Sequence, residues 1–390
     1  MERKEYYNLM TNAIKSVLSN TALRCDAYNS LGEKEFITLF RLSKLHDIAN
    51  VVGEALLTNG VQMPDKVKFE FIKQQTLAVS RYERINYELG ELATFFEQNQ
   101  IPFMPLKGSV IREYYKRPDL RTSCDIDILI KKSDVDRAVK LLEEQKDYKK
   151  EAVNIHDVSL FAPSGVHLEL HYKLFEDDKN ADKILGKCWE TGLPYGDGQY
   201  GKKMNAEYNL CYIILHAAKH FIRGGCGVRS VMDVFVLVRK GDYNEEKLTE
   251  LLQKTDYLKF YHQIKKLAFQ WFGDQEMDDV LEKDVLEKME EYIIQGGVYG
   301  SRENMVVSHN KDKSKFATLI AKVFPDYNTL SYVYPIINTC PVLYPFCIVA
   351  RWFKVFSKKK REDFAKDLEY NDISKEKRQE ISKFFDDIGL

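Results

Sequence analysis

The sequence predicts an α+β protein in which a small mixed β-sheet, in residues 101–204, lies between an N-terminal helical region (1–100) and a larger C-terminal helical region (205–390). Three observations predict it. Apolar residues recur at helical period through the first hundred residues, short alternating runs replace them from about residue 101, and helical period returns near Ala206. At 390 residues the chain is long enough for more than one sizeable core. With 44% apolar and 30% charged residues it reads as globular rather than disordered. A formal net charge of −1 argues against the broad basic footprint that long nucleic acid needs, leaving room only for a local patch.

In the first region Phe36, Leu39, Phe40, Leu45, Ile48, Val51 and Val52 keep helical spacing, and Gly60 stands where a helix C-cap would. A second long helical pattern runs from about Lys66 to Glu97. The texture then changes. Residues 101–106 read as a short strand, which Pro102 and Pro105 place at an edge or a strand start. Residues 108–116 read as a short helix ended by Pro118. Residues 124–131 alternate polar and apolar, the mark of a half-buried strand. Ser133 and Asp136 suggest a capping box opening an amphipathic helix. Residues 157–163 and 166–175 flank the turn at Ser164 and Gly165 as a hairpin. The resulting order is β-α-β-α-β-β, consistent with a sheet carrying helices.

From Ala206 one helix runs to about Ile222. Glycines 224, 225 and 227 break it, and Val228 to Lys240 begins another. Helical patterns continue to about Gln295, residues 296–315 read as an exposed loop, and helices resume to the C-terminus. Residues 329–356 are strongly apolar, with Lys358, Lys359, Lys360 and Arg361 following. Pro335, Pro341 and Pro345 interrupt the run, so a packed helical segment is expected rather than an integral membrane span. Contact with a membrane surface or a partner is the alternative. The N-terminus lacks the apolar stretch of a signal peptide. Seven scattered cysteines without a CxxC pattern suggest buried free thiols in a reducing cytoplasm, not a zinc site or a disulfide framework.

The chemistry concentrates in Lys107-Gly108-Ser109 and, sixteen residues after Ser109, Asp125-Ile126-Asp127. On a strand Asp125 and Asp127 share a face, while Ile126 and Ile128 point into the core. Two carboxylates so close repel each other unless they are solvated or a divalent cation sits between them, and Mg²⁺ favours one or two carboxylates plus substrate phosphates. A glycine before a helix lets backbone approach phosphate closely, and Lys107 or Arg121 can add charge for a triphosphate. The plain alternative is a solvated strand face with ion pairs to Lys107 or Arg121. Glu169 shares a face with His167 and His171, and completes a three-carboxylate metal site if its strand neighbours that of Asp125. The alternative there is a solvent-facing hairpin strand. The two histidines lack the cysteine partners of a zinc site. On the helix from Ala206, His216, Lys219, His220 and Arg223 form one polar face, from which Lys219 can reach nucleotide phosphates; a solvated or interdomain face is the alternative. Arg229 and Asp233 are also four apart and could simply pair on the next helix.

Residues 105–130 resemble the uncharacterised nucleotidyltransferase family of the DNA polymerase β superfamily, with its Leu-Lys-Gly, its tyrosine-proline-arginine stretch and its Asp-x-Asp. The similarity extends to His46, to Glu169–Leu174, and to the stretch from His216 to Asp233. It implies a metal site at Asp125, Asp127 and Glu169, a phosphate-binding turn at Gly108 and Ser109, Mg²⁺ or Mn²⁺ as cofactor, and an NTP as substrate. The third acidic position is glutamate here where the superfamily has aspartate. The implied reaction is attack of an acceptor hydroxyl on the α-phosphate with release of pyrophosphate, the metal lowering the hydroxyl pKa. The resemblance names no acceptor; the charge balance favours a small molecule or a protein over long nucleic acid. A non-catalytic nucleotide-binding or regulatory protein that keeps the fold is the competing reading.

Overall fold

The computed structural model describes residues 3–176, 178–223, 225–274, 281–296, 327, 330, 334, 336–355 and 375–390. The fold is α+β, with a small mixed sheet flanked by helices. The first hundred residues form α1 (Arg3–Leu18), α2 (Cys25–Asn29), α3 (Glu33–Leu45), α4 (Ala49–Thr58) and α5 (Asp65–Gln98). The apolar period that continues from Phe36 to Val52 hides a break: Asp47 takes φ +53° and turns the chain between α3 and α4. Gly60, at φ +68°, closes the turn after α4, where a residue with a side chain would be strained. At about 1.5 Å per residue α5 is roughly 50 Å long, enough to run alongside both the helices and the sheet.

The sheet strands are β1 (Phe103–Pro105), β2 (Asp125–Ile130), β3 (Lys149–Val153), β4 (Asp157–Phe161) and β5 (His167–His171), in spatial order β1-β2-β5-β4-β3. β2 and β5 are parallel and the other neighbours antiparallel. Between β1 and β2 lies the single-turn helix α6 (Gly108–Ile111), continued by a 3₁₀ turn to Tyr114. Pro118 does not end that helix. It opens a separate 3₁₀ turn, Pro118–Leu120, at a position where no backbone N–H is needed. The helix after β2 is α7 (Val135–Lys146), and the expected capping box is absent: the Ser133 hydroxyl bonds the Asp134 carboxylate instead of a helix N–H. β3 escaped the sequence reading because its lysines and Glu151 are exposed, so burial leaves no alternation there. A short ribbon, β6 (Leu193–Pro194) with β7 (Lys202–Lys203), leads to a bridge between Gly201 and Phe103 beside β1.

Each face of the sheet meets a different core. Ile126, Ile128 and Ile130 of β2, with Leu168 and Leu170 of β5, pack under α5 and α7 against Leu89, Phe96 and Leu142. The opposite face carries Asp125, Asp127, Glu169 and His171. It was expected to be half solvated, yet Asp127 and His171 are each 3% exposed. Helices α8 (Lys179–Leu185), α9 (Cys188–Thr191), α10 (Ala206–Ile222), α11 (Val228–Lys240), α12 (Glu245–Lys254), α13 (Leu258–Phe272) and α14 (Lys283–Gly296) follow. A second core joins Leu129 and Met104 of the sheet to Met10, Val52, Ile214, Phe235 and Ile264. The N-terminal and C-terminal helices therefore pack on one another and share the polar side of the sheet.

The loop expected at 296–315 lies outside the described residues beyond Gly296. Within 329–356, helix α15 (Ile336–Thr339) and helix α16 (Tyr344–Val355) gather Leu330, Ile337, Cys347 and Ile348 into a small core of their own. Among the described residues no helix is long and apolar enough to cross a membrane.

Candidate active site

The parallel β2–β5 register sets the geometry. Asp125 pairs with His167, Asp127 with Glu169 and Leu129 with His171. Register partners on neighbouring strands point to one face, so Asp127, Glu169 and His171 converge. One ligand atom from each lies within 4.8 Å of the others, a set of two carboxylates and an imidazole that could hold a metal ion. Asp125 sits on the same face but outside that group. Burial raises its pKa and the Asp127 charge adds to this, while Lys107 works the other way.

Lys107 and His171 both bond the same oxygen of Asp127. Lys107 Nζ is 2.7 Å from Asp127 Oδ1 and His171 Nε2 is 2.8 Å from it, with His171 Nε2 also 3.2 Å from Glu169 Oε2. Burial opposes ionisation of Asp127, but the Lys107 ammonium and the His171 bond outweigh it and hold the carboxyl far below its usual range. The same burial opposes the Lys107 and His171 cations, and the facing carboxylates outweigh it again, so both pKa values rise. The ion pair weighed from the sequence as the plain reading of Asp127 therefore exists, in a dry setting rather than on a solvated face.

Lys107 takes φ +46° and ψ −123°, an unusual conformation for a residue with a side chain, of the kind that costs about 1–3 kcal/mol and clusters at functional sites. It turns the chain from β1 into α6, and the Leu106 N–H bonds the Asp127 carbonyl at 2.9 Å, tying the turn to β2. A Cβ on Gly108 would stand 3.0 Å from Ser123 Cβ, so the turn fits glycine closely. The next residue, Ser109, is 5% exposed and its Oγ has no hydrogen-bond partner. Arg112, buried and absent from the sequence reading, fixes the turn from behind: Nε donates to the Gly108 carbonyl at 2.6 Å and Nη2 to Ser123 Oγ at 2.7 Å.

The other predicted cations are engaged elsewhere. Arg121 grips Asp233 with Nε at 2.9 Å and Nη2 at 2.8 Å, and Tyr115 Oη donates to the same carboxylate at 2.7 Å. Arg229 Nη1 reaches Asp47 at 2.8 Å. A local Arg229–Asp233 pair is thus replaced by two long-range pairs, one of which brings the α3–α4 turn to the site. Lys219 bonds Glu176 at 2.8 Å, in a cluster with Arg223 and His156. The polar face of α10 is split: Lys219 and Arg223 turn to Glu176, whereas His216 and His220 face Lys107 and Arg121 across a small cavity. His171 is legible in the sequence as a neighbour of Glu169 two residues along one strand face, but the absence of cysteine partners hides it as a ligand. The partners of Arg121, Arg229 and Lys219 left no local signal in the sequence.

The mixed sheet, with its glycine–serine turn beside a carboxylate-bearing strand, is consistent with the nucleotidyltransferase class. A family model described as an uncharacterised nucleotidyltransferase matches residues 33–273, well over half of the chain, and the chain belongs to that family. No curated protein and no solved structure matches it.

Proposed function

We propose that the protein is a metal-dependent nucleotidyltransferase that moves an NMP from an NTP to an acceptor hydroxyl, releasing pyrophosphate. The observation that carries this reading is the turn at 107–109, which bears a buried hydroxyl without a partner on Ser109 and is tied by Lys107 to Asp127. Family membership supports nucleotidyl transfer in general.

The donor set fits a divalent cation such as Mg²⁺ or Mn²⁺: two hard carboxylates and an imidazole within 4.8 Å of one another. Asp127, Glu169 and His171 would hold it, with Asp125 as the adjacent carboxylate. When bound, the metal supplies charge for the phosphates and lowers the pKa of the acceptor hydroxyl. The chain's own residues do the rest. Gly108 admits phosphate oxygens close to backbone, and Ser109 Oγ donates to one of them. Lys107 holds the Asp127 carboxylate and stands ready to share its charge with a phosphate. Arg121 acts by fixing Asp233 and the wall of the site, and Lys219 by fixing Glu176. Glu169 either ligates or accepts the acceptor proton. In this reading residues 101–204 carry the chemistry, 1–100 and 205–390 wall the site, and the reaction runs in the cytoplasm on a small-molecule or protein acceptor.

One observation favours the second reading, a nucleotide-binding regulator without turnover: Lys107 and His171 already satisfy Asp127 without a metal. Incubation with each α-labelled NTP, Mg²⁺ and cell extract decides between them. Transfer of label to any acceptor, lost in Asp127→Asn, supports the enzyme. Tight NTP binding with no labelled product under any of the four nucleotides would refute it.

A further inference from the structure

Next to the carboxylates lies a cavity of about 70 Å³ walled by Lys107, Arg121, His216, His220, Arg229 and Asp233. A space of about 10–15 Å³ admits one water, so this cavity has room for roughly five waters, the scale of a pyrophosphate, and is too small for a base and sugar as well. Lys107 joins the two places, since it lines the cavity and its ammonium contacts Asp127.

The fixed cations of the wall already have acidic partners: Lys107 has Asp127, Arg121 has Asp233 and Arg229 has Asp47. The histidines differ. They stand one turn apart on α10 with Nε2 to Nε2 at 3.0 Å and ring centroids 4.5 Å apart. Such a contact needs a proton on one nitrogen and a lone pair on the other, so the rings cannot both be charged while it lasts. Burial and then the Lys107 charge hold both pKa values down, that of His220 to about 4 and that of His216 well below its ordinary value. The charged groups that face them come from every neighbouring element: Lys107 from the β1–α6 turn, Asp127 from β2, Arg121 before β2, Arg229 and Asp233 from α11, and Lys219 and Arg223 from α10 itself. At pH 7 the cavity thus presents a neutral pair whose charge is held down by its surroundings, and an entering anion reverses that influence.

We propose that the cavity holds the pyrophosphate end of the nucleotide and that the His216–His220 pair takes up one proton from solvent as that anion enters. The choice of anion rests on the nucleotidyl-transfer reading. The incoming proton, released by a water or buffer acid, binds the accepting Nε2 lone pair. The Nε2–Nε2 hydrogen bond breaks, and both Nε2–H groups then donate to phosphate oxygens. The proton returns to solvent when pyrophosphate leaves, so no other bond changes. Because binding takes up a proton, affinity for pyrophosphate rises as pH falls, until the free pair is itself protonated near pH 4.

The test uses the full chain and inorganic pyrophosphate. Calorimetry at pH 7 in two buffers of different ionisation heat counts protons taken up per pyrophosphate. Wild type should take up about one proton more than His216→Asn or His220→Asn, the anion's own protonation being common to all. Spectra of wild-type protein labelled with ¹⁵N in histidine need no variant, and should show a ring becoming charged as pyrophosphate saturates. Equal proton uptake in all three proteins, rings that stay neutral at saturation, or no binding of pyrophosphate would each overturn the proposal. The labelled-NTP assay reads transfer separately: transfer without a ring signal sinks the pair alone, and a ring signal without transfer sinks the enzymatic reading alone.

Discussion

Asp127 on β2 and Glu169 on β5 are register partners across the parallel junction of the sheet. The strands come together only after the chain has passed through α7, β3 and β4. Two carboxylates 42 residues apart in sequence are thereby fixed on one face, with His171 between them at 2.8 and 3.2 Å. Without that imidazole and Lys107, two acidic groups on a covered face would raise each other's pKa and one would lose its charge. Lys107 and the His171 bond keep these carboxylates ionised, and His171 would give up its Nε2 proton to ligate a metal.

The substitution Asp127→Asn shows what this means for stability. From sequence alone it removes one of two repelling carboxylates and should leave stability unchanged or slightly raised. The structure reverses the sign. The change strips the buried Lys107 ammonium of its partner, a loss of about 3 kcal/mol when one member of a buried pair is removed. Label transfer should fall by about 10²–10⁴ as well. An early melt therefore does not separate a structural from a catalytic Asp127. The response to metal does: Mg²⁺ should raise the wild-type melting temperature and leave that of the variant where it is. Equal shifts in both proteins would remove Asp127 from the metal site.

Ser109→Ala should move two measurements in opposite directions. The hydroxyl is buried without a partner, so its loss should leave the free protein unchanged or stabilise it by about 1 kcal/mol. The nucleotide should lose one hydrogen bond, and affinity for Mg·NTP should fall about tenfold. Melting curves and calorimetry on the same variant check both. Unchanged affinity would show that the hydroxyl does not meet the phosphates.

What was legible in the sequence was local. Ile126 and Ile128 alternate with Asp125 and Asp127, and Leu168 and Leu170 with Glu169 and His171, so the shared faces followed from period two. Those apolar residues do pack into one core under α5 and α7. What was not legible was distant. Arg121 finds Asp233 across 112 residues, and Arg229 finds Asp47 across 182. No spacing rule reads such pairs: from the sequence Arg121 belongs with a triphosphate or the strand carboxylates, and Arg229 with its neighbour Asp233 four residues on. The covered polar face was hidden for the same reason, since a strand that alternates cannot say whether a helix or water lies over its polar side.

The imidazole should tune which metal binds. An oxygen-only set suits Mg²⁺, whereas a nitrogen ligand favours the later divalent ions. Mn²⁺ and Co²⁺ should therefore bind wild type more tightly than Mg²⁺, and His171→Asn should shrink that preference about tenfold. Titration of free Mn²⁺ by its paramagnetic resonance signal, with Mg²⁺ as competitor, measures it. A variant with the wild-type preference would take His171 out of the ligand set.

Lys219 and Glu176 give the last prediction, which separates a phosphate contact from a structural one. Glu176 accepts from His156, Lys219 and Arg223, and the His156 bond leads the effects that outweigh burial and hold its carboxyl well below the usual range. A carboxyl with a depressed folded-state pKa contributes stability that is present above its unfolded pKa, about 4.3, and is lost as pH falls through the folded value. At pH 7 Glu176→Gln should therefore destabilise by about 2 kcal/mol, the scale of hydrogen bonds to a charged group. The difference from wild type should shrink steadily below about pH 4, as wild type loses the same charge by protonation. Lys219→Met should destabilise in the same pH window, because it removes part of the same network. If Lys219 serves only to hold Glu176, the variant should bind Mg·NTP as wild type does. Denaturant melts from pH 3 to 7, run beside nucleotide titrations at pH 7, read both effects. A Lys219→Met protein that is as stable as wild type but binds Mg·NTP about tenfold more weakly would return Lys219 to the phosphates, where the sequence first put it.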